Sequence, residues 1–288
     1  MFVFLNGQFV PEEQALVSVF DRSFLYGDGL FETIRVVNGK LFRGAQHLER
    51  MVRGAEYLKI KIPFPPKELN QFAEQLVEKN QMSDSVLRVT LSRGPGPRGY
   101  SPRGAESPTV VMTLHPAPFP ANTEPPPCKL ITATLRVNPL DPFTQFKTCN
   151  RLLYVLAQAE AESKGGDDAL LLNTIGEVVE TASANLFWVY RERVCTVPTG
   201  RGALPGITRA VVLEICQTLG LPTIKRVIKA ETLRGSEGIF ITQSVLGVVP
   251  VSSLDGQPVK PSPLVEKIMR AYVEILTKPR NGGSTASG

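Results

Sequence analysis

Apolar and polar positions alternate with a period of two at the start of the chain. Phe2-Val-Phe-Leu and Phe9-Val10 flank Asn6-Gly7, a dipeptide that favours a tight turn, so a hairpin is expected over Phe2 to Val10. Leu30-Phe-Glu-Thr-Ile-Arg-Val-Val37 reads as a strand that turns at Asn38-Gly39 and returns through Lys40-Leu-Phe-Arg43. The period then changes to that of a helix. From Gln46 to Leu58, the residues Leu48, Met51, Val52, Ala55 and Leu58 fall on one face. Pro63, Pro65 and Pro66 end that element, and Lys67 to Asn80 predicts a second amphipathic helix. Strands over Ser85 to Ser92 and Thr109 to Leu114 enclose a Gly/Pro-rich loop, Arg93 to Gly104.

Pro116 to Pro127 holds six prolines, too stiff and too poor in backbone donors for a regular element. It divides the chain into an N-terminal α+β domain (1–116), a linker (117–127) and a C-terminal domain (128–279), followed by a Gly/Ser tail (280–288) expected to be disordered. The bland alternative is a long surface loop within one domain. Beyond it, Cys128 to Val137 reads as a strand and Leu152, Leu153, Val155, Leu156 and Ala159 as the core face of a helix ending at Lys164-Gly165-Gly166. Short β-runs follow at Ala169 to Asn173, Val178 to Glu180, Leu186 to Tyr190 and Val194 to Val197. A Gly-rich loop then opens a helix at Gly206-Ile207-Thr208 that Gly220 caps. Strands near Lys225 to Ile228 and Gly238 to Thr242 and a helix from about Pro263 to Leu276 complete the pattern, with no internal repeat.

At 288 residues and 42% hydrophobic content, the chain can bury a large core. The net charge of +5 is spread among 27 acidic residues without a basic run, which argues against nucleic acid and for anionic small molecules. Cys128, Cys149, Cys195 and Cys216 lack metal-ligand spacing and are expected to be reduced, which points to the cytoplasm. The start has no signal-peptide pattern and no apolar run is long enough for a membrane span, so a soluble protein is expected.

The stretch Phe143 to Glu160 places Lys147 at the mouth of an apolar segment. An ammonium held against apolar surface loses hydration and its pKa falls from about 10.4, which turns lysine into an amine nucleophile. A snorkelling lysine is the bland alternative. Gly206-Ile207-Thr208 offers backbone N–H groups, a positive dipole end and a hydroxyl for a phosphate, though Thr208 is also an ordinary cap residue. Thr242-Gln243-Ser244 can supply more donors or be a polar strand end. Glu180 precedes small residues that let a flat ligand approach; its carboxylate can keep a pyridine nitrogen protonated, or be a solvated strand end. Arg50, one turn from Gln46 and His47, is either an inward guanidinium or a surface charge.

Taken together, these motifs resemble, in order and spacing from about residue 2 to 277, the class IV aminotransferases. These are the fold-type IV enzymes that use pyridoxal 5'-phosphate. The resemblance implies a two-domain fold of mixed α/β (α+β) class, like that of the D-amino acid aminotransferases, with a smaller N-terminal α+β domain and a larger sheet-rich C-terminal domain. It implies that Lys147 is the Schiff-base lysine and Glu180 the partner of the pyridine nitrogen. Arg50, Ile207, Thr208 and Ser244, with Gln243 beside them, would hold the phosphate, and Leu204 would pack on the ring. A homodimer with sites near its interface is implied as well.

Phe31-Glu-Thr33-Ile-Arg35, Ser92 to Ser101 and Lys147-x-x-Asn150-Arg151-Leu152 resemble the 4-amino-4-deoxychorismate lyases. Branched-chain enzymes usually have glycine where Thr33 stands and tyrosine where Arg151 stands. D-amino acid enzymes usually have tyrosine at Phe31 and histidine at Tyr100. The lyase is therefore expected first, releasing 4-aminobenzoate and pyruvate. Alternatives are an aminotransferase for branched-chain L-amino acids, D-amino acids or (R)-amines, and a non-catalytic binding module of the same fold. Arg35 and Arg98 are candidates for a substrate carboxylate, because a planar two-pronged donor matches it. Phe31, Thr33 and Tyr100 complete the expected substrate contacts.

Overall fold

The alternation seen in the first strands builds an antiparallel sheet with two different faces. A computed structural model describes residues 1–278. Its first sheet contains β1 (Phe2–Leu5), β2 (Gln8–Pro11), β3 (Gly29–Val37), β4 (Lys40–Leu41), β5 (Ser85–Ser92) and β6 (Thr109–Pro116), in the order β2-β1-β6-β5-β3-β4. A short helix, α1 (Arg22–Tyr26), precedes β3, and α2 (Gly44–Leu58) and α3 (Pro66–Asn80) cover one face. Leu30 and Ile34 of β3, Leu87, Val89 and Leu91 of β5, and Met112 and Leu114 of β6 pack there against Leu48, Met51, Ala55, Leu69 and Leu76. The opposite face carries Phe31, Thr33, Arg88, Thr90, Val111 and Thr113, all half-buried. One strand thus serves two surroundings, as a period of two requires.

The second sheet holds β7 (Cys128–Val137), β8 (Asp168–Asn173), β9 (Val178–Thr181), β10 (Asn185–Tyr190), β11 (Arg193–Thr196), β12 (Thr223–Lys225), β13 (Gly238–Gln243), β14 (Gly247–Leu254) and β15 (Gln257–Pro258). Its order is β12-β11-β10-β13-β14-β7-β8-β9, with β15 on β14. The β14–β7, β7–β8 and β11–β12 pairs are parallel and the others antiparallel. Four helices complete it: α4 (Leu152–Ser163), α5 (Ile207–Thr218), α6 (Ala230–Arg234) and α7 (Pro263–Thr277). Helices α5 and α7 bury Val211, Val212, Ile215, Ile268 and Met269 against Phe187, Phe240 and Val248. The expected tail lies outside the described residues.

Several expectations change. Helix α4 does not bury the whole expected stripe: Leu153 is half-buried, but Leu152, Val155 and Leu156 are 64%, 59% and 51% exposed. It packs instead through Ala157 and Ala161 onto Ala133, Ala169 and Leu171, because only small residues allow its backbone this close to β7 and β8. Strand β12 ends at Lys225, where its pairing to β11 stops, not at Ile228. The sequence pattern does not predict strand β14, since Pro250 argues against an interior strand. Its parallel pairing to β7 begins only at Val251, so Pro250 bonds on one side alone. Helix α1 has too few residues to show a period.

The two halves meet along a seam. Residues ahead of α4 add an extra bridge to the edge of β3: Phe31 N–H donates to Lys147 O at 2.9 Å and Cys149 N–H to Gly29 O at 2.8 Å. Arg43 pairs with Glu214 of α5 at 2.5 Å. The Phe42 ring stands edge-on to Tyr272 of α7 with centroids 5.8 Å apart. Lys147 therefore sits in an extended segment between the sheets, not on the helix that follows.

Candidate active site

Directly at that seam lies a cavity of about 580 Å³. Phe31 and Thr33 of β3, Arg50 of α2, Lys147, Glu180, Leu204, Ile207, Thr208, Gln243 and Ser244 all line it. They come from six separate stretches of the chain. The eight residues expected to hold a cofactor are thus brought together, with two of the five expected to touch substrate.

Arg151 shapes the lysine's surroundings. Its guanidinium donates to Thr148 O at 3.0 Å and Phe146 O at 3.1 Å, clasping the carbonyls on both sides of Lys147. It also lies 4.6 Å from the Tyr154 ring centroid. The Lys147 ammonium sits 4.5 Å from the Phe31 ring centroid. Burial, then the cations Arg151 and Arg50, push its pKa down to about 7, against the pull of Glu32 and Glu180. At neutral pH a large share of this amine is uncharged and nucleophilic.

Glu180 stands at the end of β9, where Asn185 Nδ2 donates to its Oε2 at 3.0 Å and Leu204 N–H to the same oxygen at 2.9 Å. Burial pushes its carboxyl up to about 7, even though those donors and nearby cations oppose the change. Its Oε1 receives no hydrogen bond from the described residues and is free to accept one from a ring nitrogen. Asn185 also donates to Leu204 O at 2.8 Å, so it fixes Glu180 and Leu204 together. A Cβ on Gly206 would stand 1.9 Å from Asn185 Oδ1. Only glycine admits Asn185 at this place.

Helix α5 starts at Ile207 behind Gly206, with no side chain capping it. The N–H groups of its first turn point outward without intrahelical partners, next to the Thr208 hydroxyl. Thr242 also lines the cavity, and its buried hydroxyl has no partner. Uncapped amides, an unpaired hydroxyl, a carboxylate with one free oxygen and a partly neutral amine form a donor set that fits an aldehyde-bearing, phosphorylated pyridine.

Arg50 is buried, but its charge is shared. It donates to both oxygens of Glu32, Nε at 2.8 Å and Nη2 at 2.6 Å, and Nη1 donates to Pro205 O at 3.0 Å. His47 Nδ1–H adds a 2.7 Å bond to Glu32. Burial alone would raise the Glu32 carboxyl; Arg50 and His47 hold it down at about 2. Glu32 escaped the sequence reading, yet a carboxylate between Leu30 and Ile34 on the helix-facing side of β3 was the available signal.

Three expected substrate residues lie elsewhere. Arg35 is buried under the Pro-rich segment, paired with Asp84 at 2.5 Å and donating to Ser85 O and Phe119 O at 3.0 Å, and it does not line the cavity. Arg98 is exposed and Tyr100 is 89% exposed. Arg22 holds their loop outward by donating to the carbonyls of Gly99, Tyr100 and Ser101 at 2.9–3.2 Å. Neither lines the cavity of its own chain. Asn185 and Tyr154 were also missed, because nothing in their local sequence marks them as inward-facing.

The model of the family described as "Amino-transferase class IV" matches residues 29–254. The chain belongs to that family. A putative branched-chain-amino-acid aminotransferase of Methanocaldococcus jannaschii is 33% identical over 282 residues, 96% of this chain and 97% of the relative. An aminodeoxychorismate lyase of Vibrio harveyi is 34% identical over 247 residues, 84% and 88% of the two chains. A D-alanine aminotransferase of Bacillus licheniformis is 30% identical over 275 residues, 94% and 95%. Among solved structures, the branched-chain aminotransferase of Thermoproteus uzoniensis with norvaline superposes with TM-score 0.90 at 29% identity, covering 96% of this chain and 95% of that one. The T.th. branched-chain aminotransferase with pyridoxamine 5'-phosphate gives 0.90 at 28%, covering 96% and 94%. This class IV chain is an enzyme of a pyridoxal phosphate-dependent family with the fold-type IV architecture.

The Glu32 carboxyl titrates far below its usual 4.5 when folded. Its stabilisation is complete above pH 4.5 and is lost as pH falls toward 2. Glu32→Gln is expected to destabilise the protein by about 3–5 kcal/mol at pH 7 by breaking a buried pair. Denaturant midpoints at pH 3 and 7 should then differ less in the variant than in the unaltered protein.

Proposed function

We propose that the chain is a pyridoxal phosphate-dependent lyase that converts 4-amino-4-deoxychorismate to 4-aminobenzoate and pyruvate. The observation carrying this reading is that Thr33 and Arg151, the two positions departing from the branched-chain pattern, both line the cavity of Lys147 and Glu180. A guanidinium wall suits a substrate with two carboxylates. A branched aliphatic side chain would desolvate that charge without return.

Glu180, Lys147, Thr208, Ile207, Ser244 and Gln243 would hold the cofactor, with Leu204 against its ring and Arg50 at its phosphate end. When bound, pyridoxal phosphate supplies a cationic ring that accepts electron density from the substrate carbon bearing the amine. Glu180 would keep the ring nitrogen protonated. Lys147 would hold the cofactor at its aldehyde carbon, and its amine would take the proton from the substrate's amine-bearing carbon. The C–O bond to the enolpyruvyl group then breaks, and the departing enolate takes up a proton as pyruvate. Thr33 offers a hydroxyl at the cavity wall for orienting the leaving group.

A second reading, amino transfer, draws on the same lysine, and D-alanine and branched-chain aminotransferases are among the relatives. The purified holoenzyme is expected to release 4-aminobenzoate from aminodeoxychorismate, followed by its fluorescence, and to lose this in Lys147→Ala. Amino transfer from L- or D-amino acids without 4-aminobenzoate release would contradict the lyase.

We also propose a cytoplasmic homodimer. Support comes from four free cysteines and from the exposed apolar side chains of Val19, Phe20 and Phe24 and of Leu152, Val155 and Leu156 on α4. A second copy that covers them can meet the outward-held loop of Arg98 and Tyr100. Light scattering should return about twice the chain mass of 31.5 kDa, falling toward one chain in Leu156→Asp; a monomeric unaltered protein contradicts the dimer.

A further inference from the structure

One buried hydroxyl behind the cavity is left without a task. Tyr272 of α7 is 2% exposed, and its Oη is enclosed with no partner in hydrogen-bond geometry among the described residues. A phenol inside a core is ordinarily paired, because losing water without a replacement is costly.

The ring is pinned from two sides. It stands edge-on to Phe42 with centroids 5.8 Å apart, and a Cβ on Gly247 would lie 2.4 Å from its Cε1 and 2.9 Å from its Cδ1. Only glycine lets the ring lie this close. Gly247 pairs with Gln243 and closes the turn that carries Ser244, so Tyr272 rests against one of the two elements expected at the phosphate. Helix α5 is the other. Val211 and Val212 share a core with Tyr272, and Thr208 precedes them by one turn on the same face of α5. Burial pushes the Tyr272 pKa up to about 12, against the pull of the Thr208 hydroxyl and of the charges on Arg35 and Arg43. The phenol therefore keeps its proton at neutral pH and is able to donate it in a hydrogen bond.

Thr208 lines the cavity on the far side of this contact. A phosphate dianion offers lone pairs alone, so a hydroxyl beside it must donate and leave its own oxygen for a second donor. We propose that Tyr272 is that second donor: its Oη–H bonds to Thr208 Oγ1 and so commits the Thr208 proton to the cofactor's phosphate. Phe42 and Gly247 fix the ring beforehand, and each bond in such a chain strengthens the next. Tyr272 is thus a positioning residue that acts through Thr208. The inference rests on the proposed placing of the phosphate at Thr208, and it holds for either lyase or transferase chemistry.

The test separates the phosphate from the rest of the cofactor. The full-length chain, freed of cofactor, is titrated with pyridoxal phosphate and, separately, with pyridoxal, which lacks the phosphate; visible absorbance reports binding. Tyr272→Phe keeps the ring and removes the hydroxyl. It should raise the Kd of pyridoxal phosphate about three- to tenfold, as loss of one hydrogen bond implies, and leave that of pyridoxal within about twofold. Thr208→Val should weaken pyridoxal phosphate at least as much, and adding Tyr272→Phe to it should change the Kd by less than about twofold. A Kd for pyridoxal phosphate in Tyr272→Phe within about twofold of the unaltered chain, an equal loss for pyridoxal, or additive losses in the double variant would overturn the proposal. If Thr208→Val alone weakens pyridoxal phosphate, the placing of the phosphate survives those results; an unchanged Kd in Thr208→Val would overturn placing and proposal together. Neither titration requires turnover, so failure of the lyase assay leaves the outcome readable.

Discussion

The two backbone bonds joining Gly29 and Phe31 to Lys147 and Cys149 decide where the amine stands. They tie a segment of the second half to the start of β3 in the first sheet, so Lys147 is carried into the seam and not left on a helix surface. Arg151 then holds the carbonyls on either side, which limits how far the segment can swing. The ammonium is placed against an aromatic ring and near two guanidinium groups, and its proton is held loosely. Glu180 meets the opposite fate for the same reason: burial favours its neutral form, so a lysine and a carboxyl of very different intrinsic acidity approach one another.

Charge around this cavity is rationed. Glu32 lies beneath the sheet and takes up Arg50, which fixes the guanidinium plane while reducing its net charge. His47, whose pKa burial lowers, donates to the same carboxylate without adding a full charge. A buried carboxylate with a bidentate arginine satisfies its lone pairs, as isolated burial would not. Among the described residues, the guanidinium lining the cavity without a carboxylate partner is that of Arg151, which donates to the Phe146 and Thr148 carbonyls.

Much of the fold was legible from periodicity. The period-two runs of β3, β5 and β6 and the helical stripes of α2 and α3 are strong because each buries one face only. The reading failed where packing overrides local pattern. Helix α4 has a leucine-rich stripe that a helix of a globular protein ordinarily buries, but contact with β7 and β8 selects Ala157 and Ala161. Pro250 hid β14, since a strand that lacks one ladder donor looks like a loop until its one-sided pairing is seen. The cofactor-type residues were legible because each sits in a short, ordered motif, Lys147-x-x-Asn-Arg or Gly206-Ile-Thr. The substrate-type arginines were not, because the partner of an arginine is set by tertiary neighbours: Asp84 and Phe119 capture Arg35, and Arg22 holds the loop that carries Arg98.

Placement of an amine in this seam has one direct consequence, a depressed proton affinity in the cofactor-free protein. The rate at which Lys147 is acetylated by acetic anhydride, followed by peptide mass spectrometry across pH, reports the neutral fraction of that amine. The account predicts a midpoint near 7. A Lys147 midpoint near the value of about 10.4 for a freely hydrated lysine would contradict it, because the seam would then not hold the amine.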